Sequence, residues 1–218
     1  LEIGPAGENL VKFASILNGK WGFVSRCGGG AVMGSKKLKA VVIRDTGKVT
    51  PAMPQEFENA RKAILAKVKE GVQSQALKTA GTALGVEQNV VSGLLPVKNF
   101  TVGESSQFGP KIGGMAITAQ YLTKPHACLT CPIACKRTVK VAEGPYAIEE
   151  GPGPQYETVG ALGSLLVIDN LAAILKMATM ANRYGIDTIS CGVTTAFAME
   201  CFEKGLITPK DLDGSQLR

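Results

Sequence analysis

Aromatic side chains are scarce in this sequence: 6% of 218 residues, with one Trp, four Tyr and seven Phe. A surface that reads single-stranded nucleic acid interleaves basic residues with stacking rings. Here the basic excess, 24 Lys and Arg against 18 Asp and Glu for a net charge of +6, is dispersed. The densest group, Lys36, Lys37 and Lys39, reads as a solvated face. No nucleic-acid partner is expected. Long apolar runs are also missing. None approaches the ~18–20 residues that span a bilayer, and the longest, at 162–168 and 189–202, are broken by polar residues. A membrane span is not expected. Nor is there a basic-then-apolar leader, so the expected compartment is cytoplasmic.

Apolar residues make up 45% of the chain, enough for a real core, which excludes intrinsic disorder. The chain opens Leu1-Glu2-Ile3-Gly4-Pro5 without Met and closes through the polar Asp211-Leu212-Asp213-Gly214-Ser215. Both ends are expected to be cut from something longer.

Residues 10–17 and 38–43 read as short strands between Gly-rich turns, the second through the β-branched Val41, Val42 and Ile43. Between them lies Arg26-Cys27-Gly28-Gly29-Gly30, where three glycines let the backbone take positive φ and approach a ligand or a strand closely. The following residues 31–36 suit a helical turn. Residues 45–54, with Pro51, Pro54 and Gly47, form the expected linker. Helical spacing follows: Phe57, Ala60, Ile64, Leu65 and Val68, with Pro54 suited to the first turn. Two more helices are expected over 156–167 and 171–184, the latter stopped by Gly185, and another from Asp187 or Thr188 to about Lys204. The expected class is α+β. Residues 1–47 form the short β-containing tail of an amino-terminal domain, and 48–218 a mostly α-helical domain.

The strongest chemical signal is His126-Ala127-Cys128-Leu129-Thr130-Cys131-Pro132-Ile133-Ala134-Cys135-Lys136-Arg137. Three cysteines at C-x2-C-x3-C bring their sulfurs to one point if the segment is a loop entering a helical turn. Such thiolates select zinc or an iron–sulfur cluster. A [4Fe–4S] cluster needs a fourth ligand from elsewhere, and the basic Lys136-Arg137 pair suits an anionic cluster. On spacing, iron–sulfur leads zinc, for which His126 would be the fourth ligand, and inert thiols come third. Cys27, Cys191 and Cys201 are expected as buried small apolar residues. A set of disulfides does not suit this spacing.

Two further constellations stand downstream. In residues 149–158 a Pro/Gly-rich loop runs into a helix, placing Glu157 in its first turn. There it complements the helix dipole or is presented rigidly as a base. In Asn182-Arg183-Tyr184-Gly185-Ile186-Asp187-Thr188 one helix ends and the next begins. Such a corner offers unpaired carbonyls and N–H groups to a polar heterocycle, or is an ordinary capped turn.

Taken in order, these pieces resemble one family, the tungsten-dependent aldehyde:ferredoxin oxidoreductases. The resemblance rests on Ile3-Gly4-Pro5-Ala6-Gly7-Glu8-Asn9-Leu10, on the stretch from Gly29 to Ala40, on Cys128, Cys131 and Cys135, on Tyr156-Glu157-Thr158, and on residues 182–188. It implies tungsten, or molybdenum in some relatives, held by the dithiolenes of two pterins, with a [4Fe–4S] cluster nearby. It implies an aldehyde oxidised with water to a carboxylic acid, and ferredoxin taking the electrons. On this chain Cys128, Cys131 and Cys135 would be three cluster ligands. The 182–188 corner is similar to the family's D-x-x-G-L-D/C-x pterin motif, so Asn182, Gly185, Ile186, Asp187 and Thr188 would hold pterin. Arg26, the Cys27 backbone and Gly28 would approach the pterin phosphates and their magnesium. Glu157 would be a carboxylate near tungsten, able to take a proton if burial raises its pKa.

The sequence also departs from the family pattern. Asn182 stands where the motif has Asp, and Arg-Cys-Gly-Gly-Gly replaces a longer glycine stretch. Neither a second pterin motif nor the fourth cluster cysteine has a counterpart. The chain is therefore expected to act with the remainder of a polypeptide or a companion chain, as an oligomer, and not alone. The rival readings are a relative acting on another carbonyl or an aromatic thioester, and a non-catalytic zinc or iron–sulfur structural module.

Overall fold

The computed structural model describes residues 1–20 and 22–212. It is an α+β protein in which two small antiparallel sheets flank a set of helices. Strand β1 (Glu2–Ile3) pairs with β2 (Ile16–Asn18), and β2 with β3 (Gly22–Val24). Between β1 and β2 lies the single turn α1 (Pro5–Glu8); after β3 the glycine stretch forms α2 (Gly29–Ser35). Gly34 sits in α2 because a Cβ there would stand 1.9 Å from the Gly7 carbonyl oxygen.

The strand expected over 10–17 is confined to its end, because Leu10 turns at φ 57° and residues 12–13 continue that turn. The strand expected over 38–43 is absent. Ala40 bridges Glu2 and Val41 exchanges hydrogen bonds with Leu1 (2.8 and 3.0 Å), but the contact is too short to form a strand, and Val42 and Ile43 beyond it stay exposed. Cβ branching favours a strand only where a neighbour supplies a ladder.

The linker at 45–54 carries no regular structure up to Met53. Helix α3 (Pro54–Glu70) starts on Pro54 as expected, yet none of its residues is buried. It leads to α4 (Val72–Ala80), α5 (Gly85–Ser92), α6 (Phe108–Ile112) and α7 (Gly114–Gln120). Then comes a sheet absent from the expectation: β4 (Leu122–His126), β5 (Lys136–Val141) and β6 (Ile148–Pro152), antiparallel in that order. Part of the Pro/Gly-rich stretch expected as loop is β6.

Three α-helices follow, α8 (Tyr156–Leu162), α9 (Leu171–Tyr184) and α10 (Thr188–Glu203), and a 3₁₀ turn at Pro209–Leu212 ends the described chain. The helix expected over 156–167 breaks at Gly163, after which Ser164–Leu166 form a 3₁₀ turn. α9 runs as expected. The Asn170 side chain accepts from the Ala173 N–H at 3.1 Å, and Gly185 closes the helix at φ 72°. Its face of Leu171, Ile174, Leu175, Ala178 and Ala181 is buried. The core joins this face to Val159 of α8, Val139 of β5, and Phe108, Ile112 and Ile117 of α6 and α7. Burying side chains of this kind contributes roughly 1.5–3 kcal/mol each. The polypeptide around 153–157 is thus held on a packed frame. The closing Asp213-Gly214-Ser215 lies outside the described residues.

Candidate functional site

The corner between α9 and α10 forms as the sequence suggests. Asp187 caps α10, its Oδ2 accepting from the Ser190 N–H at 2.9 Å and from the Ser190 hydroxyl at 2.5 Å. The sequence did not show that the N-terminal segment brackets this corner. The Asp187 N–H donates to the Phe13 carbonyl (3.0 Å), the Ser15 N–H to the Gly185 carbonyl (2.7 Å), and the Gly30 N–H to the Ala14 carbonyl (2.9 Å). Gly4 makes the approach possible, since a Cβ there would meet the Tyr184 carbonyl oxygen at 2.5 Å. No residue periodicity signals such backbone pairing between distant segments.

Asp187 is 1% exposed, and its second oxygen, Oδ1, is buried without a hydrogen-bond partner among the described residues. A buried carboxylate oxygen left unpaired is costly. Asp187 lines a cleft of about 420 Å³, together with Asn182, Ile186 and Thr188 of the corner, Glu157 of α8, and Lys136 of β5. An acceptor held unpaired in such a wall fits a ligand rich in N–H donors, which is what a pterin ring offers.

Glu157 stands in the first turn of α8 and is exposed. The expectation of a buried carboxylate is not met, because the side chain stands where the cleft opens. It also lines a second cavity, of about 320 Å³, beside Tyr156, Gln73, Gln88 and Gln155. Burial pushes the Tyr156 phenol up; a hydrogen bond with Asn89 opposes this and the Glu157 carboxylate adds to it. One carboxylate is thus shared by the walls of two cavities.

Arg26 lies 3.9 Å from the Asp187 Oδ2 and is largely exposed, a loose ion pair at the rim. Cys27 and Gly28 take left-handed φ of 73° and 70°. Gly28 presses on the Lys12 carbonyl, 2.2 Å from where a Cβ would be. Cys27 is exposed, contrary to the expectation of a buried thiol, because this left-handed turn carries it outward. Cys191 and Cys201 are half-buried. Neither Cys27, Gly28 nor Gly185 reaches the cleft wall, though Ser25 does.

Cys128, Cys131 and Cys135 fall on the connection between β4 and β5. The expected helical turn is absent. The Cys131 N–H donates to the Cys128 carbonyl at 3.0 Å, and Thr130 and Ala134 take left-handed φ of 64° and 56°. The three thiols are free, Cys128 exposed and the others half-buried. Among the described residues no three His, Cys, Asp or Glu side chains are gathered closely enough to hold a metal ion. The loop supplies donors of the right chemistry for zinc or iron–sulfur, on one short segment, without a closed set. Lys136, the residue after Cys135, lines the cleft, so the thiol loop adjoins the cavity that Asp187 and Glu157 share. Among the described residues no helix is long and apolar enough to cross a membrane.

An N-terminal pairing thus brackets the corner between α9 and α10, and a thiol loop lies beside the same cleft. Comparison with known proteins shows the family. The family model for the N-terminal domain of aldehyde ferredoxin oxidoreductase matches residues 1–45, and that for its domains 2 and 3 matches residues 59–218. The chain belongs to the aldehyde ferredoxin oxidoreductase family. It is 41% identical over 97% of its length to the tungsten-containing aldehyde ferredoxin oxidoreductase of Pyrococcus abyssi, covering 34% of that protein. It is 40% identical over 96% to the enzyme of that name from Thermococcus kodakarensis, again covering 34% of the relative. A WOR-like subunit of an aliphatic sulfonate oxidoreductase from Pyrococcus furiosus is 28% identical over 96% of this chain and 33% of that subunit. Among solved structures, the active-site complex BamBC of benzoyl coenzyme A reductase with 1,5-dienoyl-CoA superposes at a TM-score of 0.70. That match is 25% identical over 100% of this chain and 34% of the other. The chain thus spans about a third of the length of the relatives it matches.

Proposed function

We propose that this chain is the part of a tungsten aldehyde oxidoreductase that carries one pterin corner, a proton-accepting carboxylate and three cluster cysteines. The observation that carries this reading is the unpaired Asp187 Oδ1 in a cleft shared with Glu157 and adjoining the thiol loop. When bound, the tungsten bis-pterin centre supplies the redox chemistry by which an aldehyde and water become a carboxylic acid. Asp187 would accept from pterin N–H groups, and Asn182 would add a neutral acceptor where the motif has a charge. The Arg26-Cys27-Gly28 turn, which lies beside the cleft rather than in its wall, would hold the pterin phosphates and their magnesium. Glu157 takes the proton that leaves when water becomes part of the product. Cys128, Cys131 and Cys135 would be three ligands of a [4Fe–4S] cluster, which needs a fourth from elsewhere. The partners are an aldehyde, ferredoxin as electron acceptor, and the remainder of the polypeptide.

The fold likeness to benzoyl coenzyme A reductase supports a second reading, an aromatic thioester as substrate. Sequence identity of 41% against 25% puts the aldehyde first.

The test is Asp187→Ala in the complete polypeptide, purified anaerobically, with pterin and tungsten content measured beside aldehyde-dependent viologen reduction. Loss of pterin is expected. Full pterin and normal turnover would remove Asp187 from the site and this reading with it.

A further inference from the structure

Arg137 is 2% exposed and forms no ion pair with a carboxylate among the described residues. Its partners are five main-chain carbonyls. Three belong to the last turn of α4: NH1 donates to Thr79 (3.2 Å), and NH2 to Leu77 (3.0 Å) and Lys78 (2.6 Å). Two belong to the cysteine loop: NH2 donates to Ala134 (3.3 Å) and Nε to Cys135 (3.4 Å). The planar guanidinium fork thus joins the end of a helix to the arm of the loop that carries Cys135. The carbonyls at a helix C-terminus are the ones left over by the helix and the negative end of its dipole, so they suit a cation. Gly81 completes the clamp. At φ 69° it passes so close that a Cβ would meet Arg137 Nε and the Cys135 carbonyl oxygen, both at 2.8 Å.

This arrangement satisfies the donors but leaves the charge unneutralised. A buried cation without a counter-charge is expensive to keep. Main-chain dipoles offset part of that cost. An anion at the adjoining thiols would offset more, and Cys135 is two residues away with its carbonyl in the clamp.

We infer that Arg137 is a positioning residue for the cysteine loop: its guanidinium ties Ala134 and Cys135 to the end of α4, and its charge is set against a negatively charged thiolate–iron centre. The inference rests on the cluster reading above and adds to it a clamp and a charge. Fixing Cys135 from behind makes loss of iron slow. A fixed positive charge beside the cluster favours its reduced form, which carries one more negative charge, and so raises its midpoint potential.

The experiment uses the complete polypeptide, purified anaerobically, as wild type, Arg137→Gln, Arg137→Lys and Cys131→Ser. Two quantities are read: the rate at which a ferrous chelator removes iron, and the cluster midpoint potential in a spectroelectrochemical titration. Arg137→Gln is expected to lose iron about ten times faster, the low end of what outer partners of metal ligands contribute, and to show a lower midpoint. Arg137→Lys keeps the charge but not the fork, so it is expected to lose iron fast while its midpoint stays near that of the wild type. That split separates the clamp from the charge, and a purely structural arginine would not produce it.

Wild-type iron release and midpoint in Arg137→Gln, with iron lost in Cys131→Ser, overturn this inference alone. Undiminished iron in Cys131→Ser overturns the ligand assignment and takes the inference with it. Should Arg137→Gln not fold, Arg137→Lys decides the clamp, and iron release at the wild-type rate there overturns it.

Discussion

The hydroxyls of Thr158 and Thr188 lie 2.8 Å apart and fasten the first turn of α8 to the first turn of α10. Each is the neighbour of a residue in the site: Thr158 follows Glu157, and Thr188 follows Asp187. The Glu157 and Asp187 carboxylates thus stand on two helix starts joined by a direct side-chain contact, with Gly192 of α10 packed closely against Ala161 of α8 further along.

Removing it is the first prediction. Thr158→Val in the complete polypeptide leaves the Thr188 hydroxyl without its partner, at a cost of about 1 kcal/mol. A lowered denaturation midpoint and a several-fold loss of turnover are expected, with tungsten content unchanged and Thr158→Ser restoring both. Wild-type turnover in Thr158→Val would show that the two helix starts are aligned by packing instead.

Glu157→Gln keeps the shape of the side chain and removes its basicity. Turnover in the complete polypeptide is expected to fall ~10²–10⁴-fold, the usual range for a lost general base, with pterin and tungsten retained. Unchanged turnover would return Glu157 to a helix-dipole role at the start of α8.

Cysteine reactivity provides a prediction that needs no cofactor. Burial pushes the Cys191 thiol up; a hydrogen bond with Thr195 opposes this, and the nearby Asp187 carboxylate adds to it. The thiolate reacts, so a raised pKa slows alkylation at neutral pH. The sign for stability follows: the folded state disfavours the Cys191 thiolate, so stability is lost as pH climbs past the unfolded thiol's pKa. In time-resolved iodoacetamide labelling read by mass spectrometry, the exposed Cys27, which is assigned no iron, is modified before Cys191. Early labelling of Cys191 would contradict its placement.

The frame behind the site is tested at Phe108, which is fully buried in the core shared by α6, α8 and α9. Phe108→Ala is expected to destabilise the corresponding unfolding transition by ~3–5 kcal/mol, from lost burial and the cavity left behind. A change below about 1 kcal/mol, the scale of a surface substitution, would show that the core closes over the gap.

How far the sequence revealed this molecule depended on the range of the interaction. Helix ends set by local chemistry were legible: Pro54 starting α3, Gly185 ending α9, and Asp187 capping α10. Pairing between distant residues was not. Val41, Val42 and Ile43 carry the right side chains for a strand, yet only Val41 finds a neighbour, at Leu1, whereas β4 and β5 contain Lys124, Pro125, Lys136 and Arg137 and pair through their register. The family motifs pointed to Asn182, Asp187 and Glu157, which the fold brings into one cleft. The Phe13 and Ala14 carbonyls and the Ser15 N–H that bracket the corner are main-chain groups, and no side-chain pattern marks them.

The measurement that tests the central claim most directly is the tungsten, molybdenum, iron and zinc content of the complete polypeptide purified anaerobically. The account predicts tungsten or molybdenum with pterin, and about four irons for each such metal. Zinc near one per chain, with neither tungsten, molybdenum nor iron, would contradict it and leave a structural thiol site in place of a redox centre.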